Sequence, residues 1–168
     1  MDAFCEALVS QERSSIIPVE YDFWGPLTGA WDIEWFGRMG KHQGKQYKGE
    51  WIFSRVLAGT AIQDIFIVPS REENAKDPQP DAEYGATIRV YNPEAKNWDV
   101  FYGCTGEATR LTAQREGDEI VLTELKHGMT KWVFSEIRPD SFHWRNIKTV
   151  DGGSTWQTVI DIYAERKK

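Results

Sequence analysis

From Leu27 onward the chain alternates apolar and polar residues with a period of two, and turn residues interrupt that alternation at short intervals. A period of two belongs to strands, whose successive side chains point to opposite faces, and it excludes a helical reading over this length. Ten strands are expected, over 27–36, 46–57, 61–68, 84–91, 98–103, 108–115, 119–125, 130–137, 141–150 and 155–165. Ala58-Gly59, Asn92-Pro93, Glu116-Gly117-Asp118, Pro139-Asp140 and Asp151-Gly152-Gly153 mark reversals between them, each with residues that favour turns. Short strands joined by short turns form an up-and-down meander. An open sheet of ten strands leaves two unpaired edges, and closing it on itself removes both. The expectation is therefore an all-β fold, a single closed antiparallel barrel, with a two-sheet sandwich as the alternative.

The 168 residues suit one domain with a sizeable core, divided into a lead-in, 1–26, and the barrel, 27–168. Asp2 is placed to cap a short helix in which Phe4 and Leu8 share a face. Ile16, Ile17, Pro18 and Phe23-Trp24-Gly25-Pro26 are apolar but aperiodic, so they need something to pack on. In a meander, alternate loops share an end. The tight loops 58–60, 92–97, 116–118 and 138–140 lie at one end, and 37–45, 69–83, 104–107, 126–128 and 151–154 at the other. Long loops thus gather at one mouth, where a barrel admits a ligand. The stretch 69–83, with Pro69, Pro78, Pro80 and seven charged residues, reads as a lid or as a solvated insertion.

Composition narrows the function classes. The net charge is −6 and no basic stripe appears, which disfavours nucleic acid. No segment approaches the roughly 20 apolar residues of a membrane span. The N-terminus lacks the basic start and apolar run of a secretory signal, so a cytoplasmic protein is expected. Cys5 and Cys104 have no metal-ligand spacing, and no metal site is expected. Eight Trp exceed what a compact core needs, whereas a barrel can use them as lining.

If Trp31 faces inward, Ile33 and Trp35 do too. The better inward faces of the second, eighth and ninth strands carry Trp51, Phe53 and Arg55, then Trp132, Phe134 and Glu136, then Phe142, Trp144 and Asn146. On the fourth strand Ile88 and Val90 oppose Thr87, Arg89 and Tyr91, and on the fifth Trp98, Val100 and Tyr102 oppose Asp99 and Phe101. A slip of one residue inverts either set. The candidate ligand-binding residues are Trp51, Phe53, Arg55, Arg89, Tyr102, Trp132, Glu136 and Trp144. Arg55 and Glu136 are the charges expected to point inward, where Arg55 grips an anionic group, or the two pair or sit at the rim. Burying either alone costs several kcal/mol.

Catalytic constellations are thin. His42, His127 and His143 are scattered, with His42 and His127 on mouth loops, where solvation is the expectation. No nucleophile elbow, phosphate-binding Gly loop or zinc spacing is present. Asp64, Asp99 and Asp161 are carboxylates within strands, expected to face water unless two form an acid–base pair across the barrel.

Leu27-Thr28-Gly29-Ala30-Trp31 resembles the Gly-x-Trp signature of the lipocalins, members of the calycin superfamily. In that family the Trp points into the barrel near its closed end, and an Arg from the last strand crosses the indole. Here the last strand ends Tyr163-Ala164-Glu165-Arg166, and period-two counting puts Arg166 on one face with Trp156, Thr158, Ile160 and Ile162. First and last strands neighbour one another in a closed barrel, so Trp31 and Arg166 can meet at a closed end, with 16–26 as its plug. Ile88-Arg89-Val90-Tyr91-Asn92-Pro93, then Trp98 after a four-residue spacer, and Asp151-Gly152-Gly153-Ser154-Thr155-Trp156 also resemble a bacterial lipocalin-like domain family of unknown function. That resemblance, over 27–166, implies a fold and no activity.

Two calycin groups with ten strands test further. Fatty-acid-binding proteins insert a helical pair after the first strand, and 37–45 is too short for one. Nitrobindin-like proteins hold haem through a His near the C-terminus. Their glycine-rich continuation is missing here, and the nearest candidates, His143 and His127, are not on the final strand. No cofactor is expected, with haem as a minor option.

The leading expectation is a barrel that binds a small apolar or aromatic molecule, anionic in one version, with Trp51, Trp132 and Trp144 stacking and Arg55 or Arg89 as polar handle. The rival is a calycin-type isomerase, cyclase or decarboxylase, marked by a pocket carboxylate, His or Tyr of perturbed pKa beside an Arg. A third is an interaction protein with a solidly filled barrel. Outer apolar faces such as Ile88 with Val90 leave room for a homodimer.

Overall fold

The computed structural model describes residues 2–168. Helix α1 (Ala3–Leu8) and a short strand β1 (Val9–Ser10) open the chain. The meander follows as β2 (Gly29–Gly37), β3 (Gln46–Val56), β4 (Ala61–Val68), β5 (Glu83–Asn92), β6 (Asn97–Cys104), β7 (Glu107–Glu116), β8 (Glu119–Glu124), β9 (Thr130–Ser135), β10 (Ser141–Lys148) and β11 (Gln157–Arg166). Each strand from β2 to β11 pairs antiparallel with the next, and β11 pairs with β2. The result is a closed ten-stranded up-and-down barrel, as the alternation predicts. Strand β1 is an addition that the alternation did not reveal, because two residues carry no period. It lies beside Val56 and Arg55, where β3 runs past the end of β2.

The closed end is built from residues distant in sequence. Trp31 is fully buried, and its indole N–H donates to the Leu27 carbonyl at 2.8 Å. The Arg166 guanidinium lies 4.2 Å from the Trp31 ring centroid. Ile17, Phe23, Trp24 and Leu27 are buried within the barrel core. Trp24 packs edge-on against Phe134 and Trp98, and the Trp98 N–H donates to the Tyr21 carbonyl at 2.9 Å. Aperiodic as it is, the lead-in has a large apolar surface to bury, and the barrel end offers the place. Asp2 caps α1 by accepting from the Cys5 N–H at 2.9 Å, but α1 buries nothing and Phe4 stays exposed.

Four expectations about phase are settled by the register. Thr87, Arg89 and Tyr91 face inward, leaving Ile88 and Val90 half-buried on the outside, and Trp98, Val100 and Tyr102 face inward beside them. Asp64 also faces inward, contrary to the expectation that strand carboxylates meet water. Arg166 does not share a face with Thr158 and Trp156. Asn146 pairs with Ile160 and Ile147 with Thr158, so Val159 is an unpaired bulge and the alternation changes sides there. A bulge adds one residue to one strand and shifts everything beyond it to the opposite face.

The stretch 69–83 contains helix α2 (Arg71–Lys76), capped by Ser70, whose hydroxyl accepts from the Glu73 N–H. Arg71 fastens it to the outer wall by a two-pronged pair with Glu50 of β3, at 2.9 Å on each oxygen. No helix among the described residues is long and apolar enough to cross a membrane.

Candidate functional site

Inward side chains fill the closed half of the barrel and leave a cavity of about 260 Å³ toward the mouth. Its walls are Trp35, Trp51, Phe66, Trp132, Phe134 and Trp144. The indoles hold one another edge-on or tilted, with Trp51 5.8 Å and Trp132 5.9 Å from Trp144 between ring centroids. Such contacts fix ring orientation and leave flat apolar faces available. The volume suits a small ringed molecule rather than a long chain.

The deep end is polar. Arg89 of β5 and Asp64 of β4 meet with Nη2 and Oδ2 2.6 Å apart, and both side chains are almost wholly buried. Burial pushes the Asp64 carboxyl above its ordinary value, while Arg89 pulls it back down. The guanidinium carbon also lies 4.5 Å from the Trp24 ring centroid, so the plug and the cavity share this residue. Among the described residues Arg89 Nε and Nη1 have no hydrogen-bond partner, nor have the Trp51 and Trp144 N–H groups, the Asn146 side-chain oxygen and, outside the ion pair itself, the two Asp64 oxygens. Buried donors are expensive to leave unpaired, and native folds satisfy nearly all of them. Arg89 makes one strong contact and keeps two donors spare in a cavity it helps to line.

One side of the mouth gathers acids and a thiol. The Tyr102 hydroxyl donates to Glu83 Oε1 at 2.6 Å. Gly85 makes this possible, because a Cβ there would stand 2.5 Å from the Tyr102 hydroxyl. Burial raises the Glu83 carboxyl, against the pull of the Tyr102 hydrogen bond. Burial, then the Glu83 charge, pushes the Tyr102 phenol far above its usual range. Glu83, Cys104 and Glu107 have donor atoms within 4.8 Å of one another, and these are the residues of the site that could hold a metal ion. Burial first of all pushes the Cys104 thiol above its ordinary value, which disfavours a nucleophilic thiolate.

Of the residues singled out from sequence, Trp51, Arg89, Tyr102, Trp132 and Trp144 line the cavity together. Phe53 lies beneath it, buried against Trp51 and within 5.4 Å of the Arg89 guanidinium. Arg55 and Glu136 are not at the cavity. Arg55 points inward at the closed end, where it forms a bidentate pair with Asp22 of the lead-in at 2.8 and 3.1 Å. Glu136 falls just after β9 ends, takes a positive φ of 51° and is exposed. Period-two extrapolation ran past the end of a strand there, and the turn re-aimed the side chain.

The histidines separate. His42 reaches the mouth and stands edge-on to Trp35, with its pKa lowered by burial. His127 is exposed on its loop. His143 is outside the barrel, stacked on Tyr163 and 2.7 Å from Asp161 Oδ1. Neither histidine weighed as a haem ligand faces the cavity, so these residues do not fit a haem site. Phe66, Glu83 and Glu107 are site residues that sequence reasoning missed, and Asp64 was weighed only as a strand carboxylate expected to face water. On β4 the alternate residues Ile62, Phe66 and Val68 make an apolar face, and an Asp on that face was the signal available for Asp64.

No protein-family model matches the chain, and no curated protein matches it.

Proposed function

We propose that the barrel binds a small molecule with an aromatic or apolar body and an oxygen acceptor at its inner end. The observation that carries this reading is the pair of spare Arg89 donors, fully buried at the deep end of an indole-walled cavity. An acceptor brought by a ligand would satisfy them, and flat rings would stack on Trp51, Trp132 and Trp144. A barrel packed solid for interaction alone would have no use for either feature. We further read the chain as lipocalin-like on the strength of the Trp31–Arg166 contact, and place it in the cytoplasm, which suits its two free cysteines.

The test is native mass spectrometry of freshly purified protein, followed by Trp fluorescence titration with a panel of small aromatic compounds. A co-purified mass or saturable quenching is expected, weakened by Trp144→Leu. A panel that produces neither quenching nor a thermal shift overturns the reading.

One observation favours catalysis as a second reading. Glu83 and Tyr102 combine a carboxyl of raised pKa with a phenol that stays protonated, 2.6 Å apart on the cavity wall. Such a pair can take and return a proton, as an isomerase requires. Chemical change in a bound compound, abolished by Glu83→Gln while binding survives, would support it.

A further inference from the structure

The cations that a reading of the sequence offers as grips for an anion are both already spent. Arg55 is turned to the lead-in and neutralised by Asp22 at 2.8 Å. Arg89 is neutralised by Asp64 at 2.6 Å, with neither side chain more than 1% exposed. The other charged groups lining the cavity are Glu83 on the wall and Glu107 and Lys148 toward the mouth, beside His42, whose pKa burial lowers. Among the described residues no uncompensated positive charge faces the deep end. A carboxylate placed against Arg89 would also stand against Asp64, in a region where an unbalanced charge is costly. Yet Arg89 Nε and Nη1 and the Trp144 N–H still lack acceptors. A neutral oxygen satisfies such donors without adding charge.

We infer that the cavity selects a planar aromatic molecule presenting an uncharged oxygen acceptor, of the amide, ketone or lactone class, and discriminates against the matching carboxylate. The inference rests on the binding reading above and sharpens it. Asp64 is the residue that sets the discrimination, because it cancels Arg89 at the point of contact. The carboxylate pairs with Arg89 and lies near Thr87 of β5 and Trp51 of β3, with no second cation facing it among the described residues.

Calorimetric titration with 2-naphthamide and 2-naphthoate at pH 8 tests this on the wild-type protein and on Asp64→Asn. Wild type is expected to bind the amide about tenfold or more tightly than the acid. Asp64→Asn leaves Arg89 uncompensated, so 2-naphthoate should gain about tenfold while 2-naphthamide changes little. A gain of binding cannot arise from a damaged fold. Equal binding of the two compounds by wild type overturns the inference and leaves the binding reading intact. So does an Asp64→Asn protein that binds the amide but gains nothing for the acid. If neither compound binds either protein the inference also falls, and the binding reading then stands or falls on the wider fluorescence panel.

Discussion

Arg166, the last residue of β11, lies over Trp31 near the start of β2, and the two are register partners across the seam that closes the barrel. The guanidinium does more than stack. Its three nitrogens donate to the carbonyls of Pro139, Thr28 and Pro26, at 2.6, 2.7 and 2.8 Å. One side chain therefore ties the seam, the β9–β10 turn and the end of the lead-in.

Removing this tie should cost more than an ordinary surface change. Arg166→Ala is expected to lower unfolding free energy by about 2–4 kcal/mol, combining the cation–π contact with lost charge-assisted hydrogen bonds. Arg166→Lys should recover less than half, since one ammonium cannot span three carbonyls in a fixed fork. Urea unfolding followed by Trp fluorescence gives both values. A loss under about 0.5 kcal/mol for Arg166→Ala, the range of ordinary surface changes, would show that the closed end does not depend on it.

Gly85 leaves room for the Tyr102 ring, and an added methyl would sit 2.5 Å from its hydroxyl and 2.8 Å from ring carbons. Gly85→Ala should therefore displace Tyr102 from Glu83 and from its edge contact with Trp132, costing about 1–3 kcal/mol. Tyr102→Phe should then cost less in the Gly85→Ala background than alone, because the bond it removes is already broken. A double-mutant cycle reads that coupling directly. Strict additivity would show that Ala is accommodated without moving the ring.

Glu50 gives the acid limb of stability its direction. Its side-chain hydrogen bond from Arg71, helped by the Arg71 N–H and Lys167, holds the carboxyl at about 2, against an ordinary 4.5. A depressed folded pKa contributes stability above the unfolded value and loses it as pH falls from about 4.5 toward 2. Because the Arg71 side chain is 58% exposed, screening leaves about 1–2 kcal/mol of this. Glu50→Gln should be less stable than wild type at pH 6, with the difference closing near pH 2. Thermal unfolding at several pH values checks it, and a difference independent of pH would refute the assignment. The same variant should loosen α2, visible as faster amide exchange over Arg71–Lys76.

The site was legible where a side chain's direction follows from its own strand. Trp51, Trp132 and Trp144 lie in strands whose apolar face is unmistakable, and all three line the cavity. The sequence left facing open, or misplaced it, where direction depends on a partner elsewhere. Arg89 and Thr87 present a polar face to the interior because Asp64, on a different strand, makes burial of the guanidinium tolerable. Read alone, the β5 sequence leaves open which of the two faces turns inward. Arg55 looked like a ligand grip because its partner, Asp22, belongs to a lead-in that has no period from which to place it.

What the sequence determined by itself is the local alternation. It placed ten strands to within a residue or two, set the turns, and left a meander that must close to protect its edges. It also put Trp31 and Arg166 on neighbouring strands. Only the tertiary structure decided which polar residues go inside, because a buried charge is admitted by its partner and not by its neighbours in the chain. The bulge at Val159 and the re-aimed Glu136 belong to the same class, since a register shift or a strand end changes facing without changing the pattern of residue types. The cavity itself is the residue of that packing: the space left when the lead-in fills one end of the barrel and the Arg89–Asp64 pair forms its polar floor.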